Sequence, residues 1–336
     1  RKYISPDIKE RIINSFPYRL YSRFQLLNPE IRFSVELTTK CNAKCSMCTR
    51  QRLVDKKCLW VGEINKNILE KIIKEMDKFS KHGHKVVFTP MGLGEPLMYS
   101  NLFPLIKRVK KKGIKVILVT NGILLNKINV KKILESGVDE VSVSLNSKDK
   151  KGYLKMNGVD AYDVVVSNIK NLLRIKKSFK NCNTRVFIQY LGEDISSFDR
   201  DIKEWNKLMT NDDKCYVHRI VNQAGLANNE KGYVDFPCNQ PLFRIAIKIN
   251  GDVYPCDPAL YSGSNKFKSL YLGNVMNGSI YKDFIDKKGK RYKILDKMRK
   301  DDYKNLECCK ICTTKALAGN CFFSTGKKKI NGYKWI

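Results

Sequence analysis

The sequence predicts an α/β fold: a partial (β/α)6 barrel followed by a small C-terminal domain built from a β-hairpin and helices. Two observations carry this. Between residue 33 and about residue 220, short β-branched runs alternate six times with stretches whose apolar residues recur at helical spacing. Beyond Gly225 that rhythm stops, and Asn250-Gly251 between two apolar runs gives a hairpin signal. Strands and helices alternating in series give a parallel sheet, because each crossover returns the chain in the same direction.

The elements follow in order. Alternation at 31–38 reads as the first strand, and 67–79 as a helix with Ile68, Leu69, Ile72, Ile73 and Met76 on one face. Strands at 86–88, 116–119, 141–145, 185–190 and 215–221 are separated by helices near 102–112, 130–136, 164–177 and 202–209. The strands carry apolar runs, as expected when both faces of a sheet are covered. Residues 228–232 read as a linker, 245–249 and 253–256 as the arms of the hairpin, and 280–300 as one polar helical segment. The expected domains are a basic helical cap at 1–32, the barrel at 33–226, the small domain at 233–325 and a tail at 326–336.

Composition excludes several classes. The 336 residues hold enough chain for a sizeable core, and twelve cysteines in a Lys-rich sequence without a long apolar run point to a reducing cytoplasm rather than a disulfide scaffold. The net charge of +31 invites a nucleic-acid reading. However, Lys outnumbers Arg by about three to one, and the densest runs, Lys110–Lys112 and Lys327–Lys329, have no interleaved aromatics. A specific nucleic-acid role and a membrane span are therefore not expected. The positive surface suits an acidic electron-donor protein or an anionic substrate.

The cysteines carry the chemistry. Cys41, Cys45 and Cys48 are spaced C-x3-C-x2-C on the loop leaving the first strand. Three thiolates can hold a four-iron cube and leave its fourth iron open to a ligand. Parallel α/β sheets bind ligands at that end of the strands. One strand later stands Met91-Gly92-Leu93-Gly94-Glu95-Pro96, where glycines let a backbone approach a ligand and a carboxylate can pair a cation. Farther on, Cys238 and Cys256, with 17 residues between them, bracket the hairpin, and Cys309-x2-Cys312 follows. Zinc held by this second set is the competing reading, because zinc sites favour C-x2-C units.

On these motifs the chain resembles the radical S-adenosylmethionine (radical SAM) superfamily over most of its length. The second cysteine set is similar to the twitch domain, a short form of the SPASM extension. Compact size, the 17-residue spacing and the final C-x2-C resemble the single-auxiliary-cluster aminocyclitol dehydrogenase of butirosin biosynthesis. The resemblance implies a [4Fe–4S] cluster on Cys41, Cys45 and Cys48, S-adenosyl-L-methionine on its open iron, and a second, auxiliary [4Fe–4S] cluster on Cys238, Cys256, Cys309 and Cys312. It also implies SAM contacts from Met47, Gly92, Gly94, Glu95, Pro96, Thr120, Asn121, Ser144, Asn146 and Gln189. Cys308 is an alternative to Cys309, and Cys58, Cys182 and Cys215 read as buried structural thiols.

The activity that the resemblance implies is reductive cleavage of SAM to a 5′-deoxyadenosyl radical, with flavodoxin or ferredoxin as electron donor. That radical removes hydrogen from a small hydroxylated substrate, and the auxiliary cluster accepts an electron to complete an oxidation. His218 and Arg219, at the end of the sixth strand, are candidates to anchor or deprotonate such a substrate. Epimerisation, with Cys321 returning a hydrogen atom, is an alternative outcome. So is peptide modification; with thirty residues before the first strand, this reading expects a separate leader-binding partner.

Overall fold

The computed structural model describes residues 30–180, 182–192, 196–218, 224, 238, 240–262, 265–300, 302–310 and 312, excepting the side chains of 265, 266, 299 and 307. Arg219, Cys321, the cap before residue 30, the linker at 228–232 and the tail at 326–336 lie outside the described residues.

Six strands follow the expected series: β1 (Ile31–Val35), β2 (Val86–Pro90), β3 (Lys115–Thr120), β4 (Glu140–Asn146), β5 (Arg185–Leu191) and β6 (Lys214–His218). All pair in parallel with their sequence neighbours. Strand residues alternate between two faces. Phe33, Val35, Phe88, Leu118, Val143 and Ile188 point outward and are buried with Ile72, Met76, Ile106, Ile169 and Leu172 of the covering helices. The opposite alternation faces the lumen and is mixed, with polar Ser34, Thr89, Ser142, Ser144, Gln189 and Tyr216 beside apolar Val87, Ile117 and Phe187.

Four of the covering helices match the expectation in place and exceed it slightly in length: Lys66–Lys81, Lys127–Glu135, Tyr162–Ser178 and Asp199–Leu208. Leu102–Lys110 stops two residues short of the expected end. Four short helices among the described residues were not expected: Thr49–Asp55 directly after the first cysteine group, Lys150–Asn157 after β4, Gln240–Phe243 and Glu307–Lys310. Cys58, expected to be buried, is exposed in the turn after the first of them.

The hairpin forms as expected, with β7 (Arg244–Ile247), β8 (Asp252–Tyr254) and Gly251 at φ +89° in the turn. Its position is the main surprise. β7 pairs in parallel with β1, Phe33 opposite Ile245 and Val35 opposite Ile247. Together with β9 (Gly273–Asn274) the hairpin extends the barrel into one sheet of order β6-β5-β4-β3-β2-β1-β7-β8-β9. The expected single helix at 280–300 is two helices, Ile280–Ile285 and Lys290–Arg299. Asp286 separates them: its carboxylate accepts the Lys288 amide at 2.8 Å and its carbonyl accepts the Gly289 amide at 3.1 Å, closing a turn. Phe79 fixes this region to the barrel, packing edge-on against Phe33, Tyr281 and Phe284 at 5.3, 5.0 and 5.2 Å between centroids.

One buried ion pair holds the far edge of the sheet. Lys176 meets Asp213, whose side chain is fully buried and also accepts the amides of Val186 and Thr210. Burial raises the Asp213 carboxyl, but the bonds from Lys176, Thr210 and Val186 outweigh it and hold the group below its ordinary range. A carboxylate lowered in this way stabilises the fold above about pH 4 and loses that contribution as pH falls through its folded pKa. Asp213→Ala leaves Lys176 buried without its charge partner, and a loss of about 3–5 kcal/mol is expected in denaturant unfolding at pH 7. A change under about 1 kcal/mol would show that the pair contributes little.

Candidate active site

The parallel strands bring six loops to one end of the barrel, and the first cysteine group lies there. Three contacts pin its loop. The Lys44 and Ser46 amides donate to the carbonyls of Asn157 and Met156 at 2.9 and 2.8 Å, and the Cys48 amide donates to the Cys45 carbonyl at 3.0 Å. The helix Lys150–Asn157 is therefore the platform under the cysteines. Asp149 caps its start, accepting the Gly152 amide, and Gly158 ends it at φ +67°. Those two residues are the sequence signal that could have revealed this helix. Gly158 also allows close approach, since a Cβ there would stand 2.4 Å from the Lys44 carbonyl oxygen.

Cys41, Cys45 and Cys48 are each partly exposed, so the open side of the loop is accessible. Burial, reinforced by Cys48 and Cys41, pushes the Cys45 thiol up to about 12. Three thiolates this close repel one another unless a cation is present, which is what iron supplies. Cys48 also caps the helix Thr49–Asp55, its sulfur accepting the Arg50 amide at 3.5 Å. Asn121 Nδ2 stands 4.0 Å from Cys41 Sγ and donates to Asn42 Oδ1 at 2.8 Å. Beside Cys45 the side chains of Tyr153 and Asn157 are buried, and Tyr153 Oη and Asn157 Nδ2 have no hydrogen-bond partner among the described residues. Polar groups left open beside the cysteines fit a bound group at this position.

The Gly92–Pro96 segment packs against the same loop. A Cβ on Gly94 would fall 2.1 Å from the Thr38 carbonyl oxygen, so only glycine lets the two backbones touch. The Glu95 amide donates to the Lys40 carbonyl at 2.8 Å. Glu95 itself is turned inward: Oε1 accepts from Thr120 Oγ1 at 2.7 Å and the Leu97 amide at 3.1 Å, and Oε2 accepts the Asn121 amide at 2.8 Å. Burial raises its carboxyl, and these bonds partly offset that. The structure thus brings Glu95, Thr120 and Asn121 together by bonding them to each other. Gly94→Ala is expected to cost about 1–3 kcal/mol of stability and to weaken SAM binding at least tenfold, measured by calorimetry on reconstituted protein. Unchanged affinity would show that this backbone contact does not shape the SAM site.

Ser144, Gln189 and Tyr216 stand side by side on β4, β5 and β6. Asn146 ends β4 at φ +64° and donates from Nδ2 to Asn157 Oδ1 at 2.7 Å. Met47 is half-buried in the cysteine loop. His218 lies opposite Leu191, its ring 4.9 Å from Tyr216, and burial lowers its imidazole below the ordinary value.

Glu36 was not foreseen. Directly after β1 it accepts the Leu93 amide on Oε1 at 3.0 Å and the Ile249 amide on Oε2 at 3.2 Å, tying the glycine loop to the hairpin. A carboxylate at a lumen-facing strand position is the signal that could have revealed it. Lys248 balances its charge nearby, with burial lowering the ammonium.

The second cysteine group gathers as well. Cys238, Cys256, Cys308, Cys309 and Cys312 line one cavity whose other walls include Pro255, Phe267, Leu270 and Met298. Cys256 is pushed well up by burial and by Cys238 and Cys312; Cys309 is pushed up by its Cys308 contact and by burial. An apolar cavity lined by five thiols suits an iron–sulfur cluster. One bond links the segments that follow the two groups, Thr49 Oγ1 donating to the Tyr261 carbonyl at 2.5 Å.

The radical SAM superfamily model matches residues 35–203, from β1 into the helix Asp199–Leu208. This chain belongs to the radical SAM superfamily. The SPASM model, described as an iron-sulfur cluster-binding domain, matches residues 238–313 and so covers the second cysteine group. As a radical SAM enzyme with a SPASM region, the chain uses a SAM-binding [4Fe–4S] cluster, SAM and an additional iron–sulfur cluster. Among solved structures it is similar to BtrN in complex with AdoMet and 2-DOIA (TM-score 0.55, 16% identity, 84% of this chain and 93% of that one). It is also similar to Streptococcus suis SuiB bound to precursor peptide SuiA (TM-score 0.51, 13% identity, 85% and 72%). At those identities the likeness is one of fold. A Pyrococcus furiosus tungsten-containing aldehyde ferredoxin oxidoreductase cofactor-modifying protein is 31% identical over 112 residues, 33% of this chain and 30% of that protein. The chain spans about a third to a half of the length of the curated relatives it matches. Among the described residues no helix is long and apolar enough to cross a membrane.

Proposed function

We propose that this radical SAM enzyme oxidises a small hydroxylated substrate, with the auxiliary cluster as electron acceptor. The observation that carries the reading is the bond from Thr49, next to Cys48, to Tyr261, five residues after Cys256. It ties the segment after the first cysteine group to the segment after Cys256, so one substrate can lie within reach of both. When bound, the SAM-loaded cluster supplies one-electron cleavage of SAM and hydrogen abstraction, and the auxiliary cluster takes up the electron left on the substrate.

The chain's own residues bind, orient and exclude water. Cys41, Cys45 and Cys48 hold the first cluster. Cys238, Cys256, Cys309 and Cys312 hold the second, with Cys308 in the same wall. Glu95 and Asn121 fix the Gly92–Pro96 backbone where it meets SAM, while Met47, Thr120, Ser144, Asn146 and Gln189 complete that wall. The polar lumen side chains of Ser142, Gln189, Tyr216 and His218 suit hydroxyl groups. His218, held neutral at pH 7 by burial, accepts the substrate's hydroxyl proton. Arg219 keeps its proposed anchoring role from its place beside His218, and ferredoxin or flavodoxin supplies the electron.

The likeness to SuiB bound to a precursor peptide favours peptide modification as the second reading. Incubation of reconstituted enzyme with SAM, reductant and a panel of aminocyclitols, sugars and nucleosides tests the first. A ketone formed with 5′-deoxyadenosine supports it. An epimer without net oxidation selects the Cys321 route instead, and turnover of peptides alone selects the second reading.

A further inference from the structure

Two of the three cysteines in the first group have an N–H group directed at sulfur: the Arg50 amide at 3.5 Å from Cys48, and Asn121 Nδ2 at 4.0 Å from Cys41. Cys45 instead acts as donor, its thiol pointing to Asn157 Oδ1 at 3.5 Å. That arrangement holds only for the protonated thiol. A cluster ligand is a thiolate with no proton to give, and its sulfur would then face an amide oxygen. On the far side of the same amide, Asn157 Nδ2 is a buried donor without a partner among the described residues. One half-turn about the last side-chain bond exchanges the two atoms, so that an N–H faces the sulfur and the oxygen takes the place of the unpartnered N–H.

We propose that, with the cluster in place, the side-chain amide of Asn157 donates a hydrogen bond from Nδ2 to the Cys45 thiolate and thereby raises the cluster's reduction potential. The inference rests on Cys41, Cys45 and Cys48 holding the first cluster. Asn146, now donating to Asn157 Oδ1 at 2.7 Å, is also an amide and answers with its own half-turn, presenting oxygen to the new N–H. The backbone of Asn157 already holds the loop through the Lys44 amide, so its side chain is fixed beside Cys45. Reduction adds negative charge to the cluster and its sulfurs, and a donor to a ligand sulfur stabilises the reduced state more than the oxidised one. Asn157 is a positioning and tuning residue in this scheme, acting through Cys45.

The test is the midpoint potential of the SAM-binding cluster in full-length, reconstituted protein, recognised by its SAM-dependent EPR change. Asn157→Leu keeps the bulk and removes the donor; Asn157→Ala is the second variant should Leu disturb folding. Either is expected to retain the iron content of the parent while the reduced-to-oxidised ratio at a fixed potential falls about tenfold, ~59 mV for a one-electron couple. A packing role alone would change stability or iron content and leave the potential in place. An unchanged potential in a variant with full iron overturns the inference and leaves the cluster assignment standing. Parent protein with no cluster on the first cysteine group overturns both.

Discussion

Replacing Cys41, Cys45 and Cys48 together by Ala is expected to remove about four irons per chain and reduce 5′-deoxyadenosine formation at least about a thousandfold. The loop offers no substitute ligand at hand. It stands on the helix Lys150–Asn157 through backbone bonds from Lys44 and Ser46, which the triple variant keeps. Folding should therefore survive, and the thermal transition of the metal-free variant should match that of metal-free parent protein. Iron analysis with a 5′-deoxyadenosine assay checks this. Undiminished 5′-deoxyadenosine formation in the variant would remove the first group from the chemistry.

Removing the second group should split the reaction. Changing Cys256 and Cys309 to Ala takes two thiols from the cavity shared by five. About four irons are expected to be lost, with 5′-deoxyadenosine formation within about tenfold of the parent and oxidised product down at least about a hundredfold. The separation follows from geometry. Both cysteine groups sit on one sheet, joined by β1 pairing with β7 and by the Thr49–Tyr261 bond, yet each is lined by its own segments. Loss of SAM cleavage in step with product would instead make the second cluster an obligatory relay into the first. Retention of oxidised product would exclude it as the acceptor.

Much of this was legible in the sequence because it is local. The strand and helix periods, the C-x3-C-x2-C loop and the Asn250-Gly251 turn each depend on residues within a few positions of one another. What local pattern does not carry is which edge a hairpin joins. β7 reads as the start of a separate domain until its pairing with β1, more than two hundred residues earlier, is seen. The helical segment expected at 280–300 is broken for a local reason, the Asp286 turn before Gly289. In the site, chemistry was read from residue type where the structure assigns it by partner. Glu95 reads as a carboxylate that can pair a cation, and in the structure it also accepts three protein donors that hold its own loop. Glu36 and Asn157 were overlooked because a glutamate in a strand and an asparagine at a helix end are ordinary until their partners, Leu93, Ile249 and Cys45, come into view.

The most direct measurement is iron, sulfide and zinc content per chain after anaerobic reconstitution. About eight irons and eight sulfides with negligible zinc are expected, one cube for each cysteine group. About four irons with one zinc would contradict the account, because a zinc ion in the second group cannot take the substrate's electron.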